Sequence, residues 1–178
     1  MKLIKTNFKD LIIIKHNVYE DERGYFKEKF KKEMLEKITD SKLEFCQENS
    51  VKSNLNVLRG LHFQKEPYAQ SKLISVESGK ILDVVVDIRK DSPTYGKYFS
   101  YILSEENHES LFVPKGFAHG YLTLNNFAII NYQVDNYYNP DAEVVIPYND
   151  EFLNIDWGIE VDKIIISNKD NTKNIFEW

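Results

Sequence analysis

The chain has 178 residues, of which 42% are hydrophobic and 29% charged, with a formal net charge of -5. That length suits a single domain spanning residues 1–178 with its own core, and the acidic balance argues against a nucleic-acid partner, which needs a basic face. The longest apolar run near the start, Leu11–Ile14, falls far short of the roughly 20 residues of a membrane helix, and no signal-peptide pattern precedes it, so a cytoplasmic protein without a membrane partner is expected.

In chain order, the first patterned stretch is Lys27–Lys37, where both charge signs mix. Phe26, Phe30, Met34 and Ile38 recur every fourth residue, which is a helix spacing, although Tyr25–Phe30 is equally compatible with the start of a strand. Cys46 is the single cysteine. It excludes an internal disulfide and a Cys-based zinc cluster, and it reads as a buried thiol.

From Leu55 onward the pattern is β. Ile81–Arg89 is the clearest strand: Leu82, Val84, Val86 and Ile88 share one face, and Asp83, Val85, Asp87 and Arg89 the other. Such alternation predicts a half-buried antiparallel strand. Shorter runs follow the same style at Lys72–Glu77, Tyr98–Leu103, Ser110–Val113, Gly120–Leu124, Ala128–Val134 and Glu143–Ile146. Turn-forming pairs and triplets such as Ser78-Gly79, Pro114-Lys115-Gly116 and Asn139-Pro140 separate them. Many short strands with close punctuation predict a mainly β sandwich or barrel, and a jelly roll closes its edges. Eleven Tyr and eleven Phe suit a lumen with aromatic walls.

Four histidines are present. His16 and His108 lie in polar surroundings and read as surface residues. His62, in LRGLHFQ, and His119, in VPKGFAHGY, each end a strand-like run beside glycine. A lone strand histidine is more often structural than catalytic, but Arg59 stands three residues before His62 in a chain with only three arginines. Its planar fork suits phosphate better than lysine does. In a flat strand Arg59 and His62 point to opposite faces. A bulge at Gly60 would turn both inward; the plainer alternative is a glycine that relieves crowding. A catalytic metal is not expected: such sites want about three His and a carboxylate, Gln64 stands two beyond His62, and no third ligand accompanies His119.

An ordered series of motifs resembles the nucleotide-sugar 3,5-epimerases, whose type is dTDP-4-dehydrorhamnose 3,5-epimerase. They run from Asp21-Glu22-Arg23-Gly24-Tyr25-Phe26 through Gln47-Glu48-Asn49-Ser50, Val57–Gln64 and Ala69–Leu73. Asp83–Arg89, Val113–Gly120, Tyr132 with Tyr137–Pro140, Ile155-Asp156-Trp157 and Ser167–Asp170 continue them. The resemblance implies a cupin-like jelly-roll β-barrel with short flanking helices, usually a homodimer, working without a metal or other cofactor. The substrate it implies is a nucleotide-diphosphate 4-keto-6-deoxy sugar, inverted at C3, C5 or both.

Inversion beside a ketone needs a base, a stabiliser for the enolate and an acid on the opposite ring face. By resemblance His62 is the base; an imidazole of ordinary pKa, about 6.5, is largely neutral at pH 7. Asp170 would orient it, Tyr132 would be the acid, and Lys72 would face the developing charge on O4. The resemblance further implies Arg59 as a diphosphate ligand, Phe26 as a substrate contact, and Arg23 and Glu28 near the nucleotide or its phosphates, serving a neighbouring subunit's site. Gln47, Asn49, His119, Glu143 and Lys169 complete the implied contacts. Ser71, Ser75, Gln133 and Pro147-Tyr148 depart from the commonest family pattern without removing a catalytic group. Alternatives are a C3-only epimerase, an epimerase of another nucleotide sugar such as a GDP-4-keto-heptose, and a non-catalytic sugar-nucleotide-binding cupin.

Overall fold

The computed structural model describes residues 1–39, 43–173 and 176–178. In order its elements are β1 (Lys2–Lys5), β2 (Ile12–Lys15), β3 (Val18–Asp21), β4 (Gly24–Lys27), α1 (Lys32–Thr39), β5 (Gln47–Asn54) and β6 (Leu58–Gln64). Then come β7 (Lys72–Ser78), β8 (Lys80–Asp87), β9 (Tyr98–Ser104), β10 (Glu109–Val113), β11 (Phe117–Thr123), β12 (Phe127–Val134) and β13 (Glu143–Val145), with a 3-10 turn at Val161–Lys163. One sheet has the order β1-β2-β10-β7-β12-β5, a second β13-β6-β11-β8-β9, and among the described residues β3 and β4 pair only with each other. Neighbouring strands in all of them run antiparallel. The order interleaves distant strands, as a jelly roll does. No helix among the described residues is long and apolar enough to cross a membrane.

The two large sheets face each other. Ile13, Ile74, Val76, Leu111 and Ile130 of the first pack with Ile81, Val85, Leu103, Phe117 and Tyr121 of the second. Toward one end this dry core gives way to polar side chains and an open cavity.

Several expectations need correction. The clearest strand is buried on both faces, not half-buried: Ile81 and Val85 enter the inter-sheet core. Val84 and Val86, with Leu82, pack under a second cluster built from Leu58, Leu61, Ile146, Tyr148, Leu153 and Trp157. The alternation was real, but the chain beyond β13 folds back over the apolar outer face. The helix is also shorter. Phe26 and Lys27 end β4 of the hairpin β3–β4, as the strand alternative has it, with Tyr19 paired to Phe26; residues 28–31 lie between elements, and α1 starts only at Lys32. Leu35 packs with Ile12, Ile14 and Phe112; the side chain of Ile38 lies outside the described residues.

His16 is no surface residue. It is 6% exposed, with Nδ1 2.9 Å from the Glu28 carbonyl and Nε2 2.7 Å from Ser110 Oγ. Cys46 is exposed rather than buried: it immediately precedes β5, and its N–H and Sγ both reach the Val134 carbonyl, at 2.9 and 3.6 Å. His108 is half-buried, 5.1 Å from the Tyr25 ring.

Candidate active site

Strand β6 decides the site. Its partner β11 aligns His119 with His62 but Tyr121 with Arg59. Two steps on β11 therefore match three on β6, which places the extra residue at the glycine. Gly60 sits at φ +117°, and a Cβ there would come 2.5 Å from Gly120 Cα and 2.7 Å from the His119 carbonyl. Only glycine fits so close a crossing of two backbones. The bulge restores parity, so that Arg59 and His62 both face inward.

A cavity of about 450 Å³ opens between the sheets, within the usual range of ligand pockets. Alternate residues of each strand line it: Gln47, Asn49 and Val51 of β5, Lys72 of β7, His119 and Tyr121 of β11, and Ile130, Tyr132 and Val134 of β12. Arg59 and His62 of β6 and Glu143 of β13 join them, as do Lys169 and Asp170 from the C-terminal segment. Ten of the thirteen expected site residues thus meet at one cavity. His62 stands on one sheet, and Tyr132 and Lys72 stand on the facing one.

His62 Nε2 lies 2.7 Å from Asp170 Oδ1 across 108 residues of sequence. A carboxylate only accepts, so Nε2 carries a proton, and in the neutral ring Nδ1 keeps its lone pair. Burial alone would raise the Asp170 carboxyl. The His62 hydrogen bond and charge, the Gly60 N–H and the Lys169 charge outweigh it and hold Asp170 below its ordinary pKa. The Gly60 N–H reaches Asp170 Oδ2 at 3.3 Å, so the bulge also helps seat the carboxylate that meets His62.

Burial raises the Tyr132 phenol; Arg59 opposes this and Glu143 adds to it. A phenol so placed stays protonated at neutral pH. Burial lowers the Lys72 ammonium to about 8, against the pull of Asp83 and Glu143. His119 Nε2 is 2.8 Å from Asp83 Oδ2, a second imidazole–carboxylate pair beside the first. Among the described residues no group of three or more His, Cys, Asp or Glu side chains is placed to hold a metal ion.

This constellation can take a proton from one face of a bound ring, hold charge beside it and return a proton from the other face. The family model for dTDP-4-dehydrorhamnose 3,5-epimerase matches residues 5–177. The chain belongs to the dTDP-4-dehydrorhamnose 3,5-epimerase family. Members are epimerases, hence isomerases. The dTDP-4-dehydrorhamnose 3,5-epimerase of Shigella flexneri is 44% identical over 170 residues, covering 96% of this chain and 93% of the relative. A crystal structure of the Elizabethkingia anophelis NUHP1 epimerase superposes with a TM-score of 0.94 at 45% identity, over 99% of this chain and 96% of that one. The Legionella pneumophila Philadelphia 1 epimerase, solved in complex with dTDP-4-keto-L-rhamnose, gives 0.90 at 41% identity, over 95% and 89%.

Within this family frame three expected residues stand apart. Arg23, Phe26 and Glu28 are exposed and do not line the cavity. Arg23 and Phe26 sit on the β3–β4 hairpin, and Glu28 follows it. Sequence reasoning assigned no role to Tyr121, Asp83 or Ser53. Tyr121 follows His119 at the two-residue spacing that marks a shared face, and Asp83 lies on the charged face of the alternating strand. Ser53, on the inner row of a polar strand, offers no comparable signal.

Proposed function

We propose that this epimerase inverts C3 and C5 of a dTDP-linked 4-keto-6-deoxy sugar through an enolate, with its own side chains moving the protons. The observation that carries the reading is the imidazole–carboxylate pair of His62 and Asp170 on one wall, opposed by Tyr132 and Lys72 on the other. His62 Nδ1 takes the proton from the carbon beside the ketone. The electron pair moves onto O4, where Lys72 and His119 balance the charge. Tyr132 returns a proton from the opposite face, and Asp170 keeps the resulting imidazolium in place.

Arg59 binds the diphosphate, Gln47 and Asn49 contact the ligand, and Glu143 with Lys169 form an ion pair on the cavity wall. Arg23, Phe26 and Glu28 serve the neighbouring site of a homodimer. In support, among the described residues the hairpin pairs with no other strand, and Tyr19 and Phe26 are 58% and 63% exposed.

The test is NMR of a dTDP-4-keto-6-deoxy sugar incubated with the enzyme in deuterated water. Deuterium should enter at C3 and C5, and His62→Ala should slow exchange by roughly two to four orders of magnitude. Tyr132→Phe should slow product formation more than exchange. Exchange confined to C3 would make the protein a mono-epimerase, and turnover of a GDP-linked sugar alone would overturn the nucleotide assignment. Mixing His62→Ala with Arg23→Ala protein should restore activity if the hairpin works across a dimer.

A further inference from the structure

A buried hydroxyl pair stands behind Arg59. Arg59 Nε donates to Ser53 Oγ at 3.0 Å, and Ser53 Oγ lies 2.9 Å from the Tyr121 hydroxyl. The three residues come from three strands, β6, β5 and β11, so the chain of hydrogen bonds bridges both sheets. Ser53 is 2% exposed and Tyr121 5%, whereas Arg59 is exposed toward the cavity. Ser53 is not among the lining residues, so it reaches a ligand through its hydrogen-bond partners, of which Arg59 is the charged one.

We infer that Ser53 and Tyr121 are positioning residues that hold the Arg59 guanidinium by its Nε and aim its two terminal nitrogens at the diphosphate. This rests on the assignment of Arg59 to the diphosphate made above. An arginine side chain is long and loses much rotamer freedom when it binds. Fixing it by one internal hydrogen bond removes part of that cost before the ligand arrives. Using Nε for this leaves the other edge of the fork, with Nη1 and Nη2, for two parallel contacts to phosphate oxygens. Ser53 can occupy this place because β5 continues the inward row Gln47, Asn49, Val51 by one more step, opposite Ala128. A small partner there leaves room for the Tyr121 ring. The Arg59 charge reaches both Tyr121 and Tyr132, where it opposes the effect of burial, so its aim also bears on the proposed acid.

The experiment measures dTDP and thymidine binding by calorimetry, together with turnover of the dTDP-4-keto sugar, for Ser53→Ala, Tyr121→Phe and Arg59→Ala, with each hydroxyl deletion repeated in the Arg59→Ala background. Ser53→Ala should weaken dTDP roughly tenfold, the scale of one misplaced hydrogen bond to a charged group. Thymidine, which lacks the diphosphate, should bind as before. KM should rise with little change in kcat. Tyr121→Phe should act in the same direction and more weakly. Neither deletion should weaken dTDP further once Arg59 is alanine, whereas a purely structural role would add its effect there. Equal weakening of thymidine and dTDP, or additive loss on top of Arg59→Ala, overturns the inference. Weak binding in Arg59→Ala with normal binding in both hydroxyl variants overturns it while leaving the diphosphate assignment standing. Normal dTDP binding in Arg59→Ala overturns that assignment and this inference with it.

Discussion

Lys72 lines the cavity with an ammonium that burial weakens. Burial lowers its ammonium to about 8, so it loses its proton as the pH rises through that value. If the cation stabilises O4, kcat should fall above about pH 8 while Tyr132, raised by burial, is still protonated. Lys72→Arg keeps the charge and does not titrate in this range. Its pH–rate profile should lose the alkaline limb near 8 even where its absolute rate is lower, and persistence of that limb would assign it to another group. His16 shows how a residue can be misread locally. Its polar sequence neighbours say surface, yet Ser110 and the Glu28 carbonyl enclose it. Burial lowers its pKa; the Glu28 carbonyl opposes this, and Lys27 and Lys29 add to it. Between its lowered folded pKa and the ordinary value near 6.5, the unfolded chain binds the proton and the folded one does not. Stability should therefore fall as the pH drops below about 6.5. In His16→Asn that part of the pH dependence of the urea midpoint should flatten.

Among the strands that line the cavity, β6 and β5 differ most in how far the sequence reveals them. The Gly60 bulge was legible because Arg59 and His62 sit at an odd spacing that a regular strand cannot reconcile with one cavity. Gly60→Ala would place a Cβ within 2.5 Å of Gly120 Cα at a φ of +117°. A loss of roughly 3 kcal/mol or more is expected from strain and displacement, read as a lowered Tm together with loss of activity. Strand β5, QENSVKSN, does not look like a strand, because β-propensity reflects packing on a half-buried surface. Its inner row faces a wet cavity instead of a core, so Gln47 and Asn49 stand where Val or Ile would otherwise be. The motif resemblance found those residues; the hydrophobic pattern could not.

For the molecule as a whole, the outer face of the second sheet is the largest departure from the half-buried strand expected. The segment after β13 covers it, with Trp157 donating from Nε1 to the Tyr148 carbonyl at 2.9 Å and buried among Leu58, Val84 and Leu122. Trp157→Ala should cost about 3–5 kcal/mol by urea denaturation, with KM little changed in whatever fraction stays folded. A loss below about 1 kcal/mol would show that this cover is not part of the cooperative core. The same C-terminal stretch delivers Asp170 to His62, so the cover and the proposed base–carboxylate pair share one tether.

The strand-rich architecture, the inward turn at Gly60 and the candidates for the acid–base groups could be read from the order of residues. Each depends on local period, on turn chemistry or on motifs a few residues long. The enclosure of His16, the doubly buried β8 and the Asp83–His119 and Ser53–Arg59 contacts could not. They depend on which distant segments meet, and side-chain alternation tells a strand's faces apart without naming what lies against either one.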